Sequence, residues 1–189
     1  MLQTIVPDKD ALIGPRGLKI AAFALGFSLW FPAFGVALGP VILQPADFVI
    51  LFSYPILLVY LPQMSGLAWL VIMLFASSSF ISFLAMGGSA VILAYYFVFP
   101  LPFLIMAFIV CRQEASAILF FKGFFWGATI SIVYSFLQLA VGTQLLDFRS
   151  NRNFTLPPQF DRAFALFPEI STFATHLIYL ISVLLVYFR

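Results

Sequence analysis

The chain alternates long apolar runs with short groups of turn residues. Each run is about as long as a helix needs to cross a bilayer, roughly 20 residues over about 30 Å of hydrocarbon. On this pattern six spans are expected, at about 18–40, 47–62, 66–86, 89–110, 117–141 and 169–188. The breaks between them include Gly39-Pro40 with "LQPAD", "GGS" at 87–89, "CRQEAS" at 111–116 and a long polar segment at 142–168. Pro100 and Pro102 fall near the middle of span four. Either half alone is too short to cross, and proline removes an internal hydrogen bond, so one kinked helix is expected there. The pattern divides the chain into a polar segment at 1–17 and one membrane domain at 18–189, an all-α polytopic transmembrane helix bundle.

Composition agrees with the pattern. Of 189 residues, 63% are hydrophobic and 8% charged, too few polar side chains to coat a soluble globule of this size. The net charge of +2 is small and scattered, which sets nucleic acid aside, since phosphate recognition needs clustered Lys and Arg. Cys111 is the single cysteine, so neither an intramolecular disulfide nor a cysteine zinc cluster is available. The apolar run after the N-terminal segment is much longer than a signal-peptide core, and span one reads as an uncleaved signal anchor.

Charge then sets an orientation. With the N-terminus in the cytoplasm, Lys9, Arg16, Lys19, Arg112, Lys122 and Arg189 fall on or near the cytoplasmic side, and only Arg149, Arg152 and Arg162 fall outside. Lys122 lies a few residues inside span five, within reach of the surface along its own stem. Asp47 reads as a helix cap after Pro45, and Arg112 and Glu114 share the cytoplasmic turn.

Candidate chemistry concentrates in the outer loop. Asp147, Arg149, Arg152, Asp161, Arg162 and Glu169 crowd into one stretch of a chain that has only nine basic and seven acidic residues, and the single histidine follows at His176. Arginine's planar fork holds phosphate oxygens in pairs and keeps its charge, so an external arginine group beside a bilayer suits a lipid-linked diphosphate. After Pro168, Glu169, Thr172, His176 and Tyr179 are spaced by 3, 4 and 3 residues and share one helix side. Such a polar face is expected toward a bundle interior or a wet cavity. Ser131, Ser135 and Gln138 form a matching row on span five, read as helix packing. No Walker loop, HExxH, GxSxG or paired-aspartate motif is present, so no metal and no cofactor are expected.

The run "KGFFWGATISIVYSFLQLAVGTQLLDF…DRAFALFPEISTFATHLI", from Lys122 to Ile178, resembles the O-antigen polymerase and ligase superfamily of bacterial polysaccharide assembly. Arg162, Ala163, Phe167, Glu169 and Ser171 match the pattern that closes that family's outer loop, while Ala165 and Ile170 stand where glycine and proline are usual. The resemblance corresponds to the N-terminal half of such a protein and implies a GT-C-like helical fold in the bacterial inner membrane. It implies a polysaccharide polymerase joining undecaprenyl-diphosphate-linked glycan units on the outer face without a metal. Glu169 and Arg162 would be catalytic, Arg149 and Arg152 would hold the diphosphate, and Thr172 and His176 would support them. Partners implied are the lipid-linked oligosaccharide, membrane lipid, and a chain-length regulator or flippase. Two alternatives stand beside it: ligation of glycan to lipid A-core, and a non-catalytic membrane subunit or transporter fragment.

Overall fold

The computed structural model describes residues 15–38, 41–86, 90–142 and 170–187. Seven helices order them: α1 (Pro15–Ser28), α2 (Pro45–Tyr60), α3 (Gly66–Met86), α4 (Ala90–Val98), α5 (Pro100–Arg112), α6 (Glu114–Val141) and α7 (Ile170–Tyr187). Between α1 and α2 runs a short antiparallel hairpin, β1 (Val36–Leu38) with β2 (Val41–Leu43), in register Val36 with Leu43 and Leu38 with Val41.

Four stretches are long and apolar enough to cross a membrane among the described residues: Pro45–Gln63, Gly66–Ala85, Leu93–Arg112 and Glu114–Val141. The chain is thus a helical membrane protein, with four such stretches described where the pattern expects six. The difference is clearest in span one. Helix α1 covers 14 residues, about 21 Å of rise, and stops at Ser28. A turn, a 3-10 segment at Pro32–Phe34 and the hairpin take up the rest of the expected run. Pro32 opens that 3-10 segment, because its ring fixes φ while it lacks an N–H to continue a ladder. The hairpin's Val, Ile and Leu are as hydrophobic as a span, so hydropathy alone merges them with it.

Span four is broken where its prolines fall. Helix α4 ends at Val98 and α5 begins at Pro100, yet Phe99 N–H donates to the Tyr95 carbonyl at 3.0 Å and Phe103 N–H to the Phe99 carbonyl at 2.9 Å. The helical path continues through the bend. Pro102 has no N–H to offer Val98, and the Tyr54 hydroxyl of α2 donates to the Val98 carbonyl instead, at 2.6 Å. A carbonyl left orphaned in hydrocarbon is costly, and a neighbouring span relieves it here.

Packing centres on α1 and α6, which run parallel and touch along a row of glycines. A Cβ on Gly26 would collide with the Phe120 carbonyl, and one on Gly123 with the Phe23 carbonyl; one on Gly127 would stand 2.7 Å from the Phe27 oxygen and 2.9 Å from Trp30 Cδ1. With no hydrophobic force between helices in lipid, such close backbone approach is how dispersion holds them together. Leu18, Ala22 and Leu25 of α1 join Ile50 and Leu57 of α2 and Met106, Ile109 and Val110 of α5 in one buried cluster. A second cluster unites Trp30, Phe124, Ala128 and Leu180, so α7 docks where α1 ends against α6. Exposed Leu, Ile and Phe such as Ile20, Phe52, Leu67 and Phe136 belong to the outward, lipid-facing surface.

Candidate functional site

Among the described residues, the two ends of the bundle differ in charge. Arg16 and Lys19 stand at the start of α1, Arg112 ends α5, and Lys122 sits in the early turns of α6, all toward one end. At the other end Asp47 lies in the first turn of α2. The N-cap there is Gln44 rather than Asp47, which corrects the sequence reading. Asp47 is three residues into the helix and reaches back, its Oδ2 accepting the Gln44 backbone N–H at 2.8 Å in a capping-box arrangement. The Tyr95 hydroxyl of α4 donates to the same oxygen at 3.4 Å, tying α4 to the start of α2.

Polar side chains also enter the core. Ser131, Ser135 and Gln138 of α6 are buried, Ser131 and Gln138 fully, so the row points inward rather than to lipid. The Ser135 hydroxyl donates to the Ile132 carbonyl at 2.7 Å. The Ser131 hydroxyl has no hydrogen-bond partner. Such groups are expensive in an apolar interior, and a hydroxyl left without a partner marks the part of the row best able to accept one from outside the chain.

On the N-terminal side of this row along α6, beside Phe124 and Gly127, lies Trp30, fully buried. Its indole meets Phe124 edge-on at 5.2 Å between ring centres and the His176 imidazole edge-on at 5.6 Å. His176 in turn meets Tyr179 at 6.4 Å. Trp30 is therefore the wedge that relates α1, α6 and α7. Sequence reasoning passed over it, and the signal was present: Gly123 and Gly127 are four apart on α6, the spacing by which small residues open a helix surface to a close neighbour.

Of the sequence-selected residues, Arg149, Arg152, Arg162 and Glu169 lie outside the described residues, and Thr172 lies in α7 with its side chain outside them. His176 is described, and its ring faces the bundle against Trp30. Of the polar face expected on span six, His176 turns to the core as expected and Tyr179 is 60% exposed, while Glu169 and the Thr172 side chain lie outside the described residues; Leu177, Leu180 and Leu184 also approach the core, and Thr175 is exposed. Among the described residues no group of His, Cys, Asp and Glu is arranged to hold a metal ion.

This arrangement defines a polytopic helical membrane protein with a buried polar row beside an aromatic wedge. Comparison with known proteins gives no closer assignment: no family model, no curated protein and no solved structure matches the chain.

Proposed function

We propose that the protein is a polymerase-type glycosyltransferase of the bacterial inner membrane, N-terminus in the cytoplasm, extending polysaccharide from undecaprenyl-diphosphate-linked units on the outer face. The observation that carries this reading is the fully buried Ser131 and Gln138 row on α6, with His176 against Trp30 on the helix that directly follows the Arg162 and Glu169 segment. Polar groups kept inside a span are commonly functional. In this reading Glu169 takes the proton of an acceptor sugar hydroxyl as its oxygen attacks the anomeric carbon of the donor. The bond from that carbon to the diphosphate breaks, and Arg162, with Arg149 and Arg152, balances the charge that grows on the departing undecaprenyl diphosphate. A GT-C-like arrangement and a chain-length regulator or flippase partner belong to the same proposal.

The test is glycan length in cells. Arg162→Ala and Glu169→Ala should each collapse long polysaccharide to single repeat units while protein abundance holds. Glycan transferred to lipid A-core and lost in the same variants would assign the ligase reaction instead.

A second reading has its own observation. The glycine seam of Gly26, Gly123 and Gly127 gives a packing reason for the small residues on α6, as in a non-catalytic subunit. Unchanged glycan length in both variants would select it.

A further inference from the structure

At the basic end of the bundle, the turn that ends α2 and the junction of α5 with α6 enclose an open pocket of about 200 Å3 lined by Tyr60, Gln63, Met64, Ile109, Arg112 and Gln113. We propose that this pocket binds the headgroup phosphate of an anionic glycerophospholipid from the adjoining leaflet, with Arg112 as the residue that recognises it. The inference is independent of the proposed glycosyl transfer.

Three observations support the assignment. The first is an uncompensated cation. Arg112 donates one guanidinium N–H to the Gln63 carbonyl and has no carboxylate partner among the described residues. Glu114, two residues on, occupies the first turn of α6, where the helix dipole already favours a carboxylate. The Gln63 bond uses one of five donors, so the fork is held in place with N–H groups left for a phosphate oxygen pair.

The second is depth. Arg112 and Gln63 are the last residues of two membrane-crossing stretches, Leu93–Arg112 and Pro45–Gln63. Headgroups lie at that level, and basic side chains there attract anionic lipid.

The third is the two-sided lining. Tyr60, Gln63 and Gln113 offer polar atoms around the cation, while buried Ile109 and half-buried Met64 supply an apolar wall. A free anion uses only the first set. A lipid uses both, with its phosphate on Arg112 and the start of its acyl chains on Ile109 and Met64.

The experiment measures lipid retention by native mass spectrometry of the full chain in mild detergent. The probes are phosphatidylglycerol, phosphatidylcholine and inorganic phosphate. Phosphatidylglycerol should be retained in preference to phosphatidylcholine and should resist an equal concentration of inorganic phosphate. Arg112→Gln should weaken its retention about tenfold, as loss of charge-assisted hydrogen bonds implies. Met64→Trp, which fills the pocket and keeps the charge, should weaken it similarly, and Arg112→Lys should fall between. Lys122→Gln, a cation on the same end outside the pocket, should leave retention unchanged. Equal retention in the Arg112→Gln and Met64→Trp proteins overturns the proposal, as does a loss with Lys122→Gln as large as that with Arg112→Gln. Displacement by inorganic phosphate would assign the site to a free anion, and equal binding of phosphatidylcholine would deny it the charge selectivity; either result also overturns it. Should Arg112→Gln fail to fold, Arg112→Lys and Met64→Trp decide between the same outcomes.

Discussion

Gly123, with Gly26, stands at the tightest backbone approach among the glycines of the described residues, and its value lies in what it lacks. Any side chain there would meet the Phe23 carbonyl, a backbone atom that cannot step aside as the end of a flexible side chain can. Gly123→Val should therefore lower stability by about 3 kcal/mol, the upper part of the range for overpacking, read as an earlier unfolding transition in detergent. Gly66→Ala is the matched control, because nothing stands within 4 Å of a Cβ at that position, and its transition should stay in place or rise. Trp30 shows the opposite dependence. It is fully buried against Phe124 and His176, so Trp30→Ala should leave a cavity costing about 3–5 kcal/mol. It should also loosen α7, visible as faster hydrogen exchange from Ile170–Tyr187 than from the remote α3.

At the scale of elements, the bend between α4 and α5 depends on a bond from another helix. The Tyr54 hydroxyl serves the Val98 carbonyl that Pro102 leaves open. Tyr54→Phe should cost about 1 kcal/mol, in keeping with hydrogen bonds between membrane helices. Pro102→Ala restores an N–H one turn below Val98, so in that background the Tyr54→Phe cost should shrink toward zero. A double-mutant cycle on thermal stability reads the difference, and full additivity would separate the tyrosine from the proline. The prolines of this bend were legible in the sequence, since Pro100 and Pro102 interrupt an apolar run by removing donors. The tyrosine was not, because nothing in hydropathy links positions 54 and 98. The hairpin was hidden for a related reason. Val36–Leu38 and Val41–Leu43 are as apolar as any span, and only Pro32, Gly35 and Gly39-Pro40 marked the run as punctuated. The α1–α6 seam went unread although the spacing of Gly123 and Gly127 carried its signal, and Gly26 on the facing helix could be matched to them only by folding.

For the whole molecule, the expectation that can be measured directly is sidedness. Cys111 is the only cysteine and is exposed at the end of α5 that carries Arg112. If basic residues are retained in the cytoplasm, a membrane-impermeant maleimide should label Cys111 in inverted inner-membrane vesicles and leave it untouched in spheroplasts. Arg152→Cys in a Cys111→Ala background should give the reverse result. Labelling of Cys111 from the spheroplast exterior would invert the topology and remove the outer face as the place of the proposed chemistry. Hydropathy and the distribution of charge made the helical membrane class and the polar row on α6 readable from the residues. The outward turn of Tyr179 was not, because which side of α7 meets the bundle depends on where Trp30 lies.

The parallel seam of α1 with α6 also bears on how the protein is made. Gly26 leaves the ribosome roughly a hundred residues before Gly123, the glycine across the seam, a delay of about 5–20 s at ordinary rates of synthesis. Through that interval α1, only 14 residues long, lacks the helix that covers its glycine face. Its hold on the membrane then depends on Arg16 and Lys19 at one end, on contacts with α2, and on the insertion machinery. The last large contact to form is the one on which the core depends. Slowing translation between codons 60 and 120 should therefore leave more of the nascent chain open to proteolysis than the same delay placed after codon 142.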